Sequence, residues 1–219
     1  MQIIQESSSF TSGGKSIALD CYFPAQAGRF PAVIALHGSG GNHESMSEPA
    51  GQLAARGFAV FVVHYFDRTG TLTATDKRTI FGNFPAWGKT VWDAVGHVAE
   101  HPRVDAERIG LLGFSLGGYL ALSVASVDSR VKAVVEFFGG LPREMKLFMR
   151  RLCPVLILHG EDDPVVPVQE AYNLKKVLET RGLPYEMQIY PGVGHGFTGD
   201  IRKDALTRSV AFLKMYLTP

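Results

Sequence analysis

Cysteine is nearly absent from this chain: among 219 residues only Cys21 and Cys153 occur, 2 in all. They lie far apart in strand-like contexts (Leu-Asp-Cys-Tyr-Phe and Leu-Cys-Pro-Val), where a free thiol packs as a small apolar side chain. A fold stapled by several disulfides is excluded, and no Cys/His spacing matches a metal site, so neither metal nor cofactor is expected. Long apolar runs are missing too; none approaches the roughly 18 residues that span a bilayer. No cationic start is followed by an apolar stretch, so no secretory leader is read and a cytoplasmic location is expected. Charge of one sign is not in excess either. Lys plus Arg number 22 and Asp plus Glu 21, for a formal net charge of +1. With no basic block or stripe, neither nucleic acid nor an anionic membrane surface is an expected partner. Repeats, low-complexity tracts and linker-like shifts of composition are absent, so 1–219 reads as a single domain.

What is present is the balance of a globular chain, 46% hydrophobic and 20% charged, with 24 glycines, and it is long enough for one substantial core. Short apolar runs alternate with helical patterns. Ile17–Phe23 reads as a first strand, paired in a hairpin with Ile3–Phe10. Pro31–Leu36 and Phe58–Val63 are continuous apolar runs of the kind buried on both faces, and Arg108–Phe114, Val131–Phe138, Pro154–Leu158 and Tyr185–Tyr190 have similar lengths. Between them, Glu48–Arg56, Pro85–Glu100, Leu116–Val127, Val168–Arg181 and Asp200–Leu217 read as helices. Strand and helix in alternation imply right-handed crossovers and a mostly parallel, doubly wound sheet flanked by helices, an α/β fold. Two stretches break the rhythm, His64–Phe84 and Gly139–Leu152. Both leave the carboxyl ends of strands, where ligands bind in open α/β sheets.

The chemistry begins after the strand 108–112, with Gly113-Phe114-Ser115-Leu116-Gly117-Gly118 leading into a helical pattern. Gly-x-Ser-x-Gly between strand and helix places the serine on a sharp turn, its hydroxyl lifted above the sheet and the helix N-terminus beneath it. A serine hydroxyl is a weak nucleophile until a base takes its proton. Of the 7 histidines, His195 stands out, lying in Pro191-Gly192-Val193-Gly194-His195-Gly196-Phe197 between a strand and the last helix. The acid that orients it is expected earlier in the chain, past a strand end. In His159-Gly160-Glu161-Asp162-Asp163-Pro164, Asp163 has the position to curl back toward His195, ahead of Asp162, while Glu161 reads as solvated or turn-forming. For an oxyanion, one donor is the Leu116 amide. The other is assigned to Ser39, with Gly40 as alternate, in the loop His37-Gly38-Ser39-Gly40-Gly41-Asn42. His37 and His159 are read as bonded to loop backbone. His43, His64, His97 and His101 have no Cys, Asp or Glu at metal-ligand spacing and are read as loop or surface residues. Phe66, Phe81, Phe84 and Trp87 are expected to wall an apolar pocket. Glu136, a carboxylate within an apolar strand, is expected in a structural ion pair, with a mark for a substrate amine or hydroxyl as the other reading.

With Gly-Phe-Ser-Leu-Gly-Gly, Gly-Glu-Asp-Asp-Pro-Val-Val-Pro and Gly-His-Gly-Phe in this order and no large cap insertion, the chain resembles the dienelactone hydrolase family of small α/β-hydrolases. The resemblance implies the α/β-hydrolase fold and hydrolysis of small esters without a cofactor. The namesake enzymes carry a cysteine where this chain has Ser115. They also carry an acidic residue in the loop that here reads His37-Gly38. Of the arginines with which they grip a substrate carboxylate, Arg68 matches one, and Thr198-Gly199 stands where a second is expected. What carries over is carboxylic-ester hydrolysis through a Ser115 acyl-enzyme. Separately, nothing in the sequence demands a dimer, and a monomer or homodimer is expected. A peptidase or thioesterase with the same triad, and a non-catalytic binding protein on the same fold, are the competing readings.

Overall fold

The computed structural model of the protein describes residues 2–41, 43–149 and 151–218, leaving Asn42 of the glycine-rich loop outside the described residues. One sheet of 8 strands organises it: β1 Ile3–Ser12, β2 Lys15–Pro24, β3 Phe30–Leu36, β4 Ala59–Val63, β5 Val104–Phe114, β6 Val131–Phe137, β7 Val155–Gly160 and β8 Tyr185–Tyr190. The spatial order is β1-β2-β4-β3-β5-β6-β7-β8. β1, β2 and β4 pair antiparallel, and every pairing from β4 through β8 is parallel. The expected hairpin is thus present, longer than read by two residues at its turn, and it forms one edge of the sheet.

Each run read as buried on both faces is so for a visible reason. In β3, Ala32, Ile34 and Leu36 enter one core while Val33 and Ala35 enter the other; in β7, Val155 and Ile157 oppose Leu156 and Leu158. Helices cover both faces. α2 Lys77–Ala99, α3 Leu116–Ala125 and α5 Gln169–Thr180 lie over the first core, and α1 Ser47–Ala54 and α6 Gly199–Leu217 over the second. A short helix, α4 Arg143–Phe148, interrupts the stretch read as loop after β6. Among the described residues, no helix is long and apolar enough to cross a membrane.

α2 starts eight residues before the expected Pro85. Asp76 caps it, its carboxylate accepting from the Thr79 amide at 2.9 Å and from the Thr79 hydroxyl at 2.7 Å. Pro85 sits inside this helix, its ring costing one backbone bond but already holding a φ compatible with the helix. The extra turns leave Phe81 exposed and carry Trp87 into the core, where its indole N–H donates to Thr69 Oγ1 at 2.8 Å. Phe66 is likewise core, stacked near Trp87 with ring centroids 4.5 Å apart. The expected aromatic pocket wall is therefore mostly interior packing.

Glu136 departs furthest from expectation. It points from β6 toward α3, is 0% exposed and forms no ion pair among the described residues. Oε2 accepts from the Gly139 amide at 2.8 Å, and Oε1 has no hydrogen-bond partner among the described residues. Burial disfavours the charged form and pushes its pKa up from 4.5 to about 8, against the smaller opposing effect of the Gly139 bond. The folded protein thus keeps this proton at pH values where the unfolded chain has released it. The resulting stability is present at low pH and is lost as pH rises from about 4.5 toward 8. Glu136→Gln, which cannot ionise, is expected to escape this loss. Between pH 5 and pH 7 the variant should gain on the order of 2–3 kcal/mol over wild type. Denaturant unfolding of both proteins across that range measures the difference, and parallel curves contradict it.

Candidate active site

β5 ends in a turn that forces Ser115 to φ 53°, ψ −115°, a conformation that L residues avoid and that costs on the order of 1–3 kcal/mol. Packing holds it there. The Ser115 amide donates to the Phe137 carbonyl at 2.9 Å, and α3 leaves the turn pressed against the end of β3. That approach is only possible without side chains: a Cβ on Gly117 would stand 2.3 Å from the Leu36 carbonyl oxygen, and one on Gly113 2.2 Å from the Gly117 carbonyl oxygen. Ser115 is the residue before the first turn of α3, so the Leu116 amide has no acceptor within the helix and faces outward with the helix dipole behind it.

His195 reaches Ser115 from the far side of the sheet. Two parallel strand exits are joined there: the Glu161 amide donates to the Tyr190 carbonyl and the Asp162 amide to the Val193 carbonyl, each at 3.0 Å. Gly160 makes the junction close enough, since a Cβ on it would lie 2.3 Å from the Val193 carbonyl oxygen. Asp163 and His195 therefore meet, with His195 Nδ1 2.7 Å from Asp163 Oδ2 and His195 Nε2 3.1 Å from Ser115 Oγ. A carboxylate only accepts, so Nδ1 carries the proton and Nε2 offers its lone pair to the serine hydroxyl. Asp162 and Glu161 are exposed, as read, and Asp163 is the buried member of the trio. Its second oxygen accepts from the Val165 and Val166 amides at 2.8 and 2.9 Å, which compensates the desolvated carboxylate.

The glycine-rich loop after β3 closes the third side. A Cβ on Gly38 would come within 3.5 Å of the Ser115 Cβ, so this backbone lies directly against the elbow. The Ser39 carbonyl accepts from the Ala74 amide at 2.8 Å, which ties the loop to the segment before α2. Ser39 is half-buried whereas Gly40 is exposed, with nothing within 4 Å of where its Cβ would stand. His37 anchors the loop from below. Its Nδ1 donates to the Gly38 carbonyl at 2.7 Å, its ring stacks on Tyr65 at 4.2 Å, and its own carbonyl accepts from the Tyr65 hydroxyl at 2.8 Å. Burial lowers its pKa to about 4, so it is a neutral structural group.

Two neighbours escaped the sequence reading. His159 was assigned only a backbone bond; it does donate Nε2–H to the Val166 carbonyl at 2.8 Å, but it also stands 3.5 Å from Asp163 Oδ2, bracing the carboxylate. Burial lowers its pKa, and its Nδ1 has no hydrogen-bond partner among the described residues. Phe138 takes φ 41° and turns its ring edge-on to the His195 imidazole, 4.7 Å between centroids. Only the Gly139-Gly140 pair that follows it hints at that backbone.

Arg68 does not fit its expected role as a carboxylate grip. Its guanidinium lies over the β1–β2 turn, where Nη1 donates to the Ser12 carbonyl at 2.7 Å and occupies the space a Gly13 Cβ would need. The two thiols are both buried and unpaired, as expected. His43 and His64 have no acidic residue at ligand spacing along the sequence, but folding brings Asp20, 44 positions away, to 2.8 Å from His64. A cleft of about 520 Å³ opens between α1 and α6, floored by Leu112, Phe114 and Phe137, but none of Ser115, Asp163 or His195 lines it.

A model of the dienelactone hydrolase family matches residues 19–215. A "Putative carboxymethylenebutenolidase" of Yersinia pestis is 28% identical over 192 residues, 80% of this chain and 71% of that protein. Two solved structures superpose over nearly the whole chain. A dienelactone hydrolase-like promiscuous phosphotriesterase from metagenomic libraries has a TM-score of 0.83 at 18% identity, covering 98% of each chain. A thermophilic esterase from Thermogutta terrifontis has a TM-score of 0.80 at 20% identity, covering 98% of this chain and 96% of its own. At these identities the structures speak for the fold, and the family model, spanning both the Ser115 elbow and the His195 loop, speaks for kinship: the chain belongs to the dienelactone hydrolase family, ester-bond hydrolases on the α/β-hydrolase fold.

Proposed function

We propose that the protein is a serine carboxylesterase that cleaves small esters through an acyl-enzyme on Ser115. The observation that carries this reading is the continuous chain Ser115 Oγ–His195–Asp163, with bonds of 3.1 and 2.7 Å in the tautomer that general-base catalysis requires. In the first half-reaction His195 Nε2 takes the hydroxyl proton as Ser115 Oγ attacks the ester carbonyl carbon. The tetrahedral oxyanion is held by the Leu116 amide and the Ser39 amide, each such donor being worth about 2.7–4 kcal/mol of barrier. His195 then gives its proton to the departing alkoxide oxygen, the C–O bond breaks, and an acyl-Ser115 ester remains. Water enters, His195 takes its proton, and the second tetrahedral intermediate collapses to release the acid and restore the hydroxyl. Asp163 keeps the imidazole in register and stabilises the imidazolium without accepting the proton. Arg68, the arginine matched to the carboxylate grip of the namesake enzymes, is engaged at the hairpin instead, which favours neutral esters over their charged lactones.

Ser115→Ala is expected to lower kcat/KM on a short-chain chromogenic ester by roughly 10⁶-fold, leaving only the background from binding and the oxyanion donors. A serine-directed phosphonate should add one adduct mass to wild type, at Ser115 by peptide mapping, and none to the variant. Equal turnover by both proteins overturns the reading; turnover confined to thioesters or peptides moves it to those classes.

Asp163→Asn should leave the fold intact, because an amide oxygen still accepts from the Val165 and Val166 amides, yet lower kcat by roughly 10⁴-fold by presenting the wrong imidazole tautomer. Steady-state kinetics beside a circular-dichroism melt separates the two effects. A loss below tenfold would exclude Asp163 as the orienting acid.

A further inference from the structure

Away from Ser115, folding assembles one more cluster of ligand-type side chains. Asp20 lies on β2, His64 directly follows β4, and His43 opens the 3₁₀ turn that leaves the glycine-rich loop. All three are half-buried, and their donor atoms lie within 4.8 Å of one another. His64 Nε2 is 2.8 Å from Asp20 Oδ2, and the His43 and His64 rings are stacked at 3.7 Å with 28° between planes. Among the described residues no other trio of His, Cys, Asp or Glu meets in this way.

We propose that Asp20, His43 and His64 form a divalent transition-metal site, of the zinc class, that clamps the exit of the oxyanion loop to the sheet. Two imidazoles and one carboxylate are a borderline-soft donor set that suits Zn²⁺ and disfavours Mg²⁺ or Ca²⁺, which take mostly oxygen ligands. Bonds of about 2.0–2.2 Å to a tetrahedral ion put donors roughly 3.3–3.5 Å apart. The His64–Asp20 pair is already closer than that, so the metal replaces the shared proton between them and pushes the two atoms slightly apart. His43 has to close by up to roughly 1.5 Å and turn. Two near-parallel imidazoles cannot both aim an in-plane lone pair at a point between them, so the rings fan open at their donor ends while staying in contact behind. The half-exposed side of the trio leaves a fourth position for water.

The consequence is mechanical. β2 and β4 are paired at Asp20 and Val62, and the His64 amide donates to the Ala18 carbonyl at 3.1 Å, so two of the ligands sit on rigid backbone. His43 is the ligand that has to shift, and it is joined to the loop through its amide on the Gly41 carbonyl at 3.0 Å. An ion held by all three fastens the far end of the segment that carries Ser39. The site is structural and needs no part in acyl transfer.

The test uses EDTA-treated, dialysed full-length protein and Zn²⁺ alone. Calorimetric titration is expected to give one equivalent bound with a Kd in the micromolar range or tighter. Zinc at about 100 times Kd is expected to raise the melting temperature by roughly 5–10 °C. His43→Ala and, separately, Asp20→Asn should each weaken binding by at least tenfold. The Asn variant retains a partner for His64 and so guards against simple misfolding. His97→Ala and His195→Ala should bind as wild type does. Binding that survives both ligand variants, binding that disappears with His195→Ala, or no saturable binding up to about 100 µM, a range far weaker than structural zinc sites show, each overturns the proposal.

Discussion

The structure turns on one close approach: the first turn of α3 lies so near the end of β3 that no side chain fits between them. Gly117 against the Leu36 carbonyl and Gly113 against the Gly117 carbonyl leave Ser115 no relaxed backbone conformation, and the hydrogen bond its amide donates to the Phe137 carbonyl holds the strained one. A strain of order 1–3 kcal/mol is a sizeable fraction of the 5–15 kcal/mol by which a domain is stable. It persists because the flanking strand and helix are interior: Leu111, Leu112, Leu120 and Ala121 are all essentially unexposed. The same approach brings the start of α3 and the Gly38 backbone against Ser115, so the strained turn and its surroundings are consequences of a single packing constraint.

The other half of the site depends on how two neighbouring strands end. β7 and β8 are parallel and in register to their last residues, Gly160 opposite Tyr190. The backbone bonds beyond that register keep their exits together for several residues more. Asp163 and His195, 32 residues apart in the chain, thereby leave one edge at one height. Short-range backbone pairing, with glycine permitting the contact, does what long-range side-chain attraction alone would do poorly.

Polar groups beneath this rim divide by how burial is compensated. Asp163 has two amides and an imidazole N–H around it, and His159 close by. Glu136 has one amide, and burial keeps it protonated across the neutral range. His37 and His159 each donate to one backbone carbonyl and are held neutral by the cost of burying charge. The rim therefore concentrates a negative carboxylate at one place, behind His195, where an imidazolium would form.

Much of this was legible from residues alone because it is written locally. Strand–turn–helix with glycines at 113 and 117, a glycine-flanked His195 and an acid just past a strand each announce themselves within a few positions, and alternating apolar runs are enough to imply the sheet. The onset of α2 was not legible, because a proline inside a pattern reads as a start unless the cap at Asp76 is weighed against it. Arg68, Glu136, His159 and Phe138 were misjudged or passed over for one shared reason. Their surroundings come from β1, α3, the 163–166 turn and the His195 loop, segments whose proximity no local pattern encodes. The Asp20–His43–His64 trio is the clearest case, with ligand-type residues 44 positions apart brought to 2.8 Å by the antiparallel pairing of β2 with β4. Local sequence determined which backbone conformations and which chemistries this chain offers; tertiary packing decided which of them touch, since contact between distant segments depends on the register of the sheet and on which side chains fill the space between.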